Sequence, residues 1–110
     1  MISLKWLCDS YFIYFNDQNI NKLEELFSDN IKLEDWNISV KGKDDVLKEI
    51  QNIFDSVESL EILPREYYED NSTVCCEIMI KINKTESIQV VDIITFDNLM
   101  KIKKIKAYKI

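Results

Sequence analysis

The chain has 110 residues, of which 46% are hydrophobic and 31% charged, with one Gly and one Pro. That is the size and composition of one ordinary globular domain over residues 1–110, and it excludes disorder, collagen and flexible linkers. The net charge is −6 and there is no His, so Ser-His-Asp and Cys-His nucleophile systems and His-ligated zinc or haem are excluded.

Residues 2–16 have helical spacing. Leu4, Leu7, Cys8, Tyr11 and Phe15 form an apolar stripe, and Trp6, Ile13 and Tyr14 widen it, which predicts a helix buried on most sides. Asn16-Asp17-Gln18-Asn19 is a turn-like break able to cap a second helix near 20–28, with Ile20, Leu23, Leu26 and Phe27 inward. Residues 31–36 alternate as a strand, with Ile31, Leu33 and Asp35 on one face. A short strand at 39–41 ends at Gly42, the only glycine. A third helix near 44–56 carries Val46, Leu47, Ile50, Ile53 and Phe54 at core spacing. Four strands follow, near 58–69, 73–83, 87–97 and 101–109. Their connections are too short for parallel crossovers, which predicts an antiparallel meander. Helices leading into such a sheet give an α+β fold with the helices on one face.

The charge is unevenly spread. Residues 101–110 hold five Lys and no acid, leaving nine basic against twenty acidic residues in the first hundred, a balance of −11. An acidic surface argues against nucleic acid as a partner, and the terminal lysines read as protection of an edge or terminal strand. Cys8, Cys75 and Cys76 form no disulfide or metal framework. Free thiols fit the reducing cytoplasm. No run of 18 apolar residues predicts a membrane span, and Lys5 and Asp9 interrupt the apolar start, which reads as structure rather than a signal peptide.

Three polar residues fall inside apolar rows. In the strand 87–97, Asp92 shares a face with Ile88, Val90, Ile94 and Phe96. A carboxylate there needs a partner, water or a raised pKa. Asp35 shares a face with Ile31 and Leu33 but lies near a strand end, where solvation is the simpler reading. Tyr11 lies on the buried stripe of the first helix, where a phenol usually finds a hydrogen-bond partner. Together, two carboxylates and a phenol make an inventory for moving a proton next to a carbonyl: one carboxylate removes the proton, while the phenol and a protonated carboxyl hydrogen-bond the enolate oxygen.

The layout resembles the SnoaL-like branch of the nuclear-transport-factor-like superfamily, which includes ketosteroid isomerases and polyketide cyclases. The stretches that carry the resemblance are Leu26-Phe27-Ser28-Asp29-Asn30-Ile31-Lys32-Leu33-Glu34-Asp35 and Gly42-Lys43-Asp44-Asp45-Val46, then Val90-Val91-Asp92-Ile93-Ile94-Thr95-Phe96-Asp97 and Lys101-Ile102-Lys103-Lys104-Ile105-Lys106-Ala107-Tyr108. The resemblance implies a strongly curved antiparallel sheet wrapped around N-terminal helices, a cystatin-like α+β cone with an open apolar pocket. It implies Tyr11 as the catalytic tyrosine, Asp35 as the general base and Asp92 as a protonated acid, in the manner of ketosteroid isomerases. Phe15, Trp36, Phe54, Val90 and Tyr108 are the expected ligand-binding residues. Phe27 and Ile50 stand where such isomerases often carry supporting tyrosines, Trp36 replaces the usual Pro after the base, and Lys109 replaces an aromatic residue.

These readings lead to an isomerase-like or cyclase-like enzyme acting on a small apolar molecule, with no cofactor and no metal. The rival is a binding domain with the same pocket and no turnover. A third reading concerns assembly. Cys75, Met79, Val91 and Ile93 stand among Glu77, Lys81, Gln89 and Thr95 on the outer sheet face. That face is more apolar than solvent requires and predicts a homodimer.

Overall fold

Ser3 opens the first helix, its side chain accepting a hydrogen bond of 3.1 Å from the Trp6 N–H. In the computed structural model, which describes residues 2–110, this helix is α1, Leu4–Asn16. It buries Leu7, Cys8, Tyr11, Phe12 and Phe15. The expectation that it is buried on most sides is wrong. Trp6 and Ile13 are 54% and 55% exposed, because they lie seven residues apart on the stripe opposite the core and only one side of the helix meets the sheet. Asn19 caps α2, Ile20–Leu26, by accepting from the Lys22 N–H. Leu23 anchors this short helix in the core.

Strand β1, Phe27–Glu34, begins four residues before the alternation predicts. Phe27 fits the helical spacing of residues 20–27, yet it is extended, buried, and paired with Ile102. A register shift between Phe27 and Lys32 absorbs the polar residues between them. β1 turns into the short β2, Ser39–Lys41, as an antiparallel hairpin. Gly42, at φ +97°, then redirects the chain into α3, Lys43–Asp55. Asp44 and Asp45 in its first turn complement the helix dipole.

The second half is β3, Leu60–Asp70; β4, Thr73–Ile82; β5, Glu86–Phe96; and β6, Ile102–Lys109. They form the expected antiparallel meander. The whole sheet has six strands in the order β2-β1-β6-β5-β4-β3, with β1 and β6 parallel. Register shifts at Phe27/Lys32, Pro64/Glu66 and Thr95/Phe96 are the kind of irregularity that bends and twists strands. Cross-strand partners share a face, so one concave row runs through Cys76, Asp92 and Ala107, and the next through Ile78, Val90 and Lys109. The helices fill this concave side, and the buried apolar residues form one cluster between them and the sheet. Among the described residues, no helix is long and apolar enough to cross a membrane.

Candidate functional site

The core does not fill the cone. A cavity of about 270 Å³ remains between α1, α3 and the concave face of the sheet. Its walls are aliphatic, with Ile62, Ile78, Ile80, Ile82 and Ile88 contributed by β3, β4 and β5. Tyr11, Asp35 and Asp92 all open onto it. Helix, turn and sheet thus bring the three residues to one space, across 81 positions of sequence.

Asp92 is 6% exposed and Tyr11 is 3% exposed. Neither side chain is hydrogen-bonded to another described residue, yet neither has a polar atom sealed away from space. Both therefore present free hydrogen-bonding groups to the cavity. Burial pushes the Asp92 carboxyl up from 3.8 to about 7, and the nearby charge of Asp35 adds to the rise. Near neutral pH a large share of Asp92 is a neutral acid, able to donate. Burial, and then the Asp92 charge, push the Tyr11 hydroxyl well above the ordinary phenol value, so it too is a donor. The ring of Tyr11 is fixed by Phe12, Phe15 and Phe27, at centroid distances of 5.2, 5.8 and 6.2 Å.

Asp35 is placed differently. It lies just beyond β1, in the turn to β2. Its backbone N–H donates to the Ile38 carbonyl at 2.8 Å. Its Oδ1 accepts from the N–H groups of Asn37 and Ile38, both at 2.7 Å, an Asx-type turn. Oδ2 accepts no hydrogen bond from the described residues and is the oxygen available for chemistry.

Of the other residues expected at the site, Phe15, Trp36 and Val90 line the cavity. Phe54 does not. It is buried behind the wall, edge-on to Phe15 with ring centroids 4.9 Å apart. Tyr108 is also absent from the lining. It pairs with Val91 on the convex face and is 48% exposed. The sequence reading missed the aliphatic walls, although the alternation of Ile78, Ile80 and Ile82 was a visible signal. Cys76 lies opposite Asp92, but the neighbouring Cys8 thiol and burial raise its pKa far above the thiol value. Held as a neutral thiol, Cys76 is no nucleophile. Among the described residues, no cluster of three His, Cys, Asp or Glu is arranged to hold a metal. A wider cleft of about 760 Å³ lies between α2 and the β5–β6 turn. Its charged groups include the exposed Glu24, Asp29 and Lys101 and the half-buried Lys43, which pairs with Asp29, and it offers no buried donor pair among the described residues.

Known proteins share this fold. The sequence matches the SnoaL-like domain family over residues 9–105. No curated protein matches it significantly. Among solved structures, an NTF2-like protein of unknown function from Cytophaga hutchinsonii superposes with a TM-score of 0.85 at 13% identity, over 100% of this chain and 92% of the other. A proposed ketosteroid isomerase from Kribbella flavida gives 0.86 at 12% identity, over 97% and 77%. SalBIII, an epoxide hydrolase/cyclase-like enzyme of pyran-ring formation in salinomycin, gives 0.84 at 17% identity, over 96% and 89%. At these identities the likeness shows the fold, a curved sheet around helices, and not the reaction.

Proposed function

The chain belongs to the SnoaL-like domain family, and on that premise we propose that its cavity moves a proton next to a carbonyl of a small apolar molecule. The observation that carries this reading is the pair of buried, unpartnered donors, Tyr11 and Asp92, on one cavity wall system. Both keep their polar atoms open to the cavity, so their hydrogen bonds are left for water or a ligand to complete. A substrate oxygen that becomes an enolate would take hydrogen bonds from both, in a cavity whose other walls are largely apolar. Asp35 would take the proton through Oδ2. The volume of about 270 Å³ lies below the usual range of roughly 300–1,000 Å³ for ligand pockets, which suits a compact substrate.

Phenols of graded acidity test this without presuming a substrate, because a bound phenolate mimics an enolate. Acidic phenols are expected to bind as phenolates, by ultraviolet titration, and Tyr11→Phe and Asp92→Asn are expected to lose that preference. Equal binding by the variants overturns the reading. Turnover would be followed as deuterium exchange from solvent into a small β,γ-unsaturated cyclic ketone.

One observation favours a second reading, a binding domain without turnover. Asp35 already has a structural duty in capping its own turn, which accounts for a carboxylate at this position without any reaction. The two readings separate at Asp35→Asn, considered below. Either is compatible with a homodimer through the convex face, where Cys75, Met79, Val91 and Ile93 are only half-buried, and with the reducing cytoplasm that three free thiols fit.

A further inference from the structure

β1 leaves the sheet after Glu34, while β6 runs on to Lys109. Residues 107–109 therefore have β5 on one side and no strand on the other. A notch opens there, lined by residues 106–109 of β6 and, across from them, by Glu34, Asp35 and Trp36. Asp35, Trp36 and Ala107 line both this notch and the deep cavity, so the two spaces share a wall and Trp36 stands between them.

Lys109 occupies a particular place on this wall. It pairs with Val90, which lines the cavity, as Ala107 pairs with Asp92. Ala107 and Lys109 thus share the concave row, and Lys109 lies about 7 Å further along it, away from Asp92. Its ammonium sits 5.8 Å from the centroid of the Trp36 ring, a cation–π distance that holds both groups at the opening. Lys106, by contrast, is on the outer face and is neutralised by Glu34 at 3.6 Å. Lys32, on the same strand pair, also meets Glu34, at 3.9 Å. Among the described residues, Lys109 has no carboxylate within 4.0 Å. The acids that line the notch with it are Asp35, whose Oδ1 is tied into its turn while Oδ2 faces the cavity as the proposed base, and Glu34, already shared between two lysines.

The cavity is therefore graded. Donors to an oxygen lie at Tyr11 and Asp92, aliphatic walls follow, and a cation without an acid partner waits at the opening. We infer that the ligand of this pocket is a compact aliphatic or monocyclic carbonyl compound bearing an anionic group, a carboxylate or its equivalent, at the end away from the carbonyl, with Lys109 as the residue that selects for it. This rests on the reading of Tyr11 and Asp92 as the oxygen-binding end. The first hundred residues carry a net charge of −11, while β6 and its flanks hold five lysines, so the attraction for an anion is local to this strand.

Three phenols of similar size test this on the full chain: 4-ethylphenol, 4-hydroxyphenylacetate and its methyl ester. Ultraviolet titration gives each Kd for the wild type, Lys109→Met and Lys109→Arg. The free carboxylate is expected to bind roughly fivefold more tightly than the two neutral phenols, the scale of one partly exposed ion pair. Raising the salt to about 0.5 M should shrink that advantage. Lys109→Met should abolish it without changing the Kd of 4-ethylphenol, and Lys109→Arg should keep it. Equal affinity for charged and neutral phenols, or a preference that survives Lys109→Met, overturns the inference and leaves the oxygen-binding site standing. If no phenol binds at all, the inference and the reading beneath it fall together.

Discussion

The Asp92 carboxyl makes the stability of the protein depend on pH with a definite sign. Its folded-state pKa is raised, from 3.8 to about 7, so between those values the folded protein keeps a proton that the unfolded chain has lost. The stability it contributes is complete below about pH 4 and is lost as pH rises through about 7. Three pKa units amount to about 4 kcal/mol. Asp92→Asn should therefore stabilise the protein at pH 8 by up to that amount and leave it little changed at pH 4, by denaturant titration at the two pH values. Carboxyl NMR should show Asp92 titrating near 7 in the wild type. In Asp35→Asn it should titrate lower but still above 3.8, because burial is the larger cause and the Asp35 charge the smaller. Asp35 itself separates a base from a turn residue. Asn keeps an oxygen to accept from Asn37 and Ile38, so Asp35→Asn should fold normally and bind phenolates as before. It should lose turnover by about 10²- to 10⁴-fold if the carboxylate is the base. Unchanged exchange into the ketone would leave the turn as its only role. The inward placement of Tyr11 and Asp92 was legible from the sequence because each interrupts an apolar row of regular period. Phe54 and Tyr108 were not, since periodicity places a residue inward or outward but does not say which inward residues touch a void, and a register shift beside Phe96 obscures the parity of β6.

At the scale of elements, the edge strand β3 shows what local pattern cannot reveal. Leu60 and Ile62 face inward, but a register shift between Pro64 and Glu66 switches the parity, so that Tyr67 pairs with Cys76 on the concave side. Tyr67 then donates a 2.6 Å hydrogen bond to Asp9 on α1. Most of this strand is exposed, so its hydrophobic pattern is too weak to betray the shift. The free edge is protected all the same. Pro64 has no N–H to offer a neighbouring strand, and Asn16, at the end of α1, occupies the groups of Ile62. Its Nδ2 donates to the Ile62 carbonyl at 2.9 Å, and its Oδ1 accepts from the Ile62 N–H at 2.7 Å. From the sequence, Asn16 looks like one polar residue in a turn, because its partner is 46 positions away. Asn16→Ala should cost about 2–3 kcal/mol, since two part-buried backbone groups lose their partners. Asn16→Asp should recover only the bond to the N–H. Urea melts of the two variants, with amide exchange at Ile62, would check this. Equal stability of Asn16→Ala and wild type would mean that water replaces the clamp without loss.

For the whole molecule, the convex face poses an assembly problem of charge as well as apolar area. Cross-strand pairing puts Cys75 beside Ile93, Val91 between Glu77 and Tyr108, and Thr95 beside Lys104. The β3–β4 side of this face carries Glu66 and Glu77, and the β6 side carries Lys104 and Lys106. A two-fold axis lying in this face along the strands would lay the acidic side of one copy over the basic side of the other, and would cover Cys75, Met79, Val91 and Ile93 in the same step. The chain is therefore expected to sediment as a dimer that weakens with added salt. Val91→Lys is the substitution that isolates the interface. In a single chain the new ammonium lies opposite Glu77, so the fold gains a cross-strand ion pair and should keep its stability. In the dimer the same ammonium, still beside Glu77, would be buried next to its symmetry mate near the axis, where taking two like charges out of water is costly. Sedimentation should then show a folded monomer with an unchanged far-ultraviolet spectrum. A wild type that sediments as a monomer, or a Val91→Lys variant that remains dimeric, would place this face in solvent or the interface elsewhere. The phenol Kd offers an independent check, because the cavity opens on the opposite, concave side: monomeric Val91→Lys should bind phenolates as tightly as the wild type.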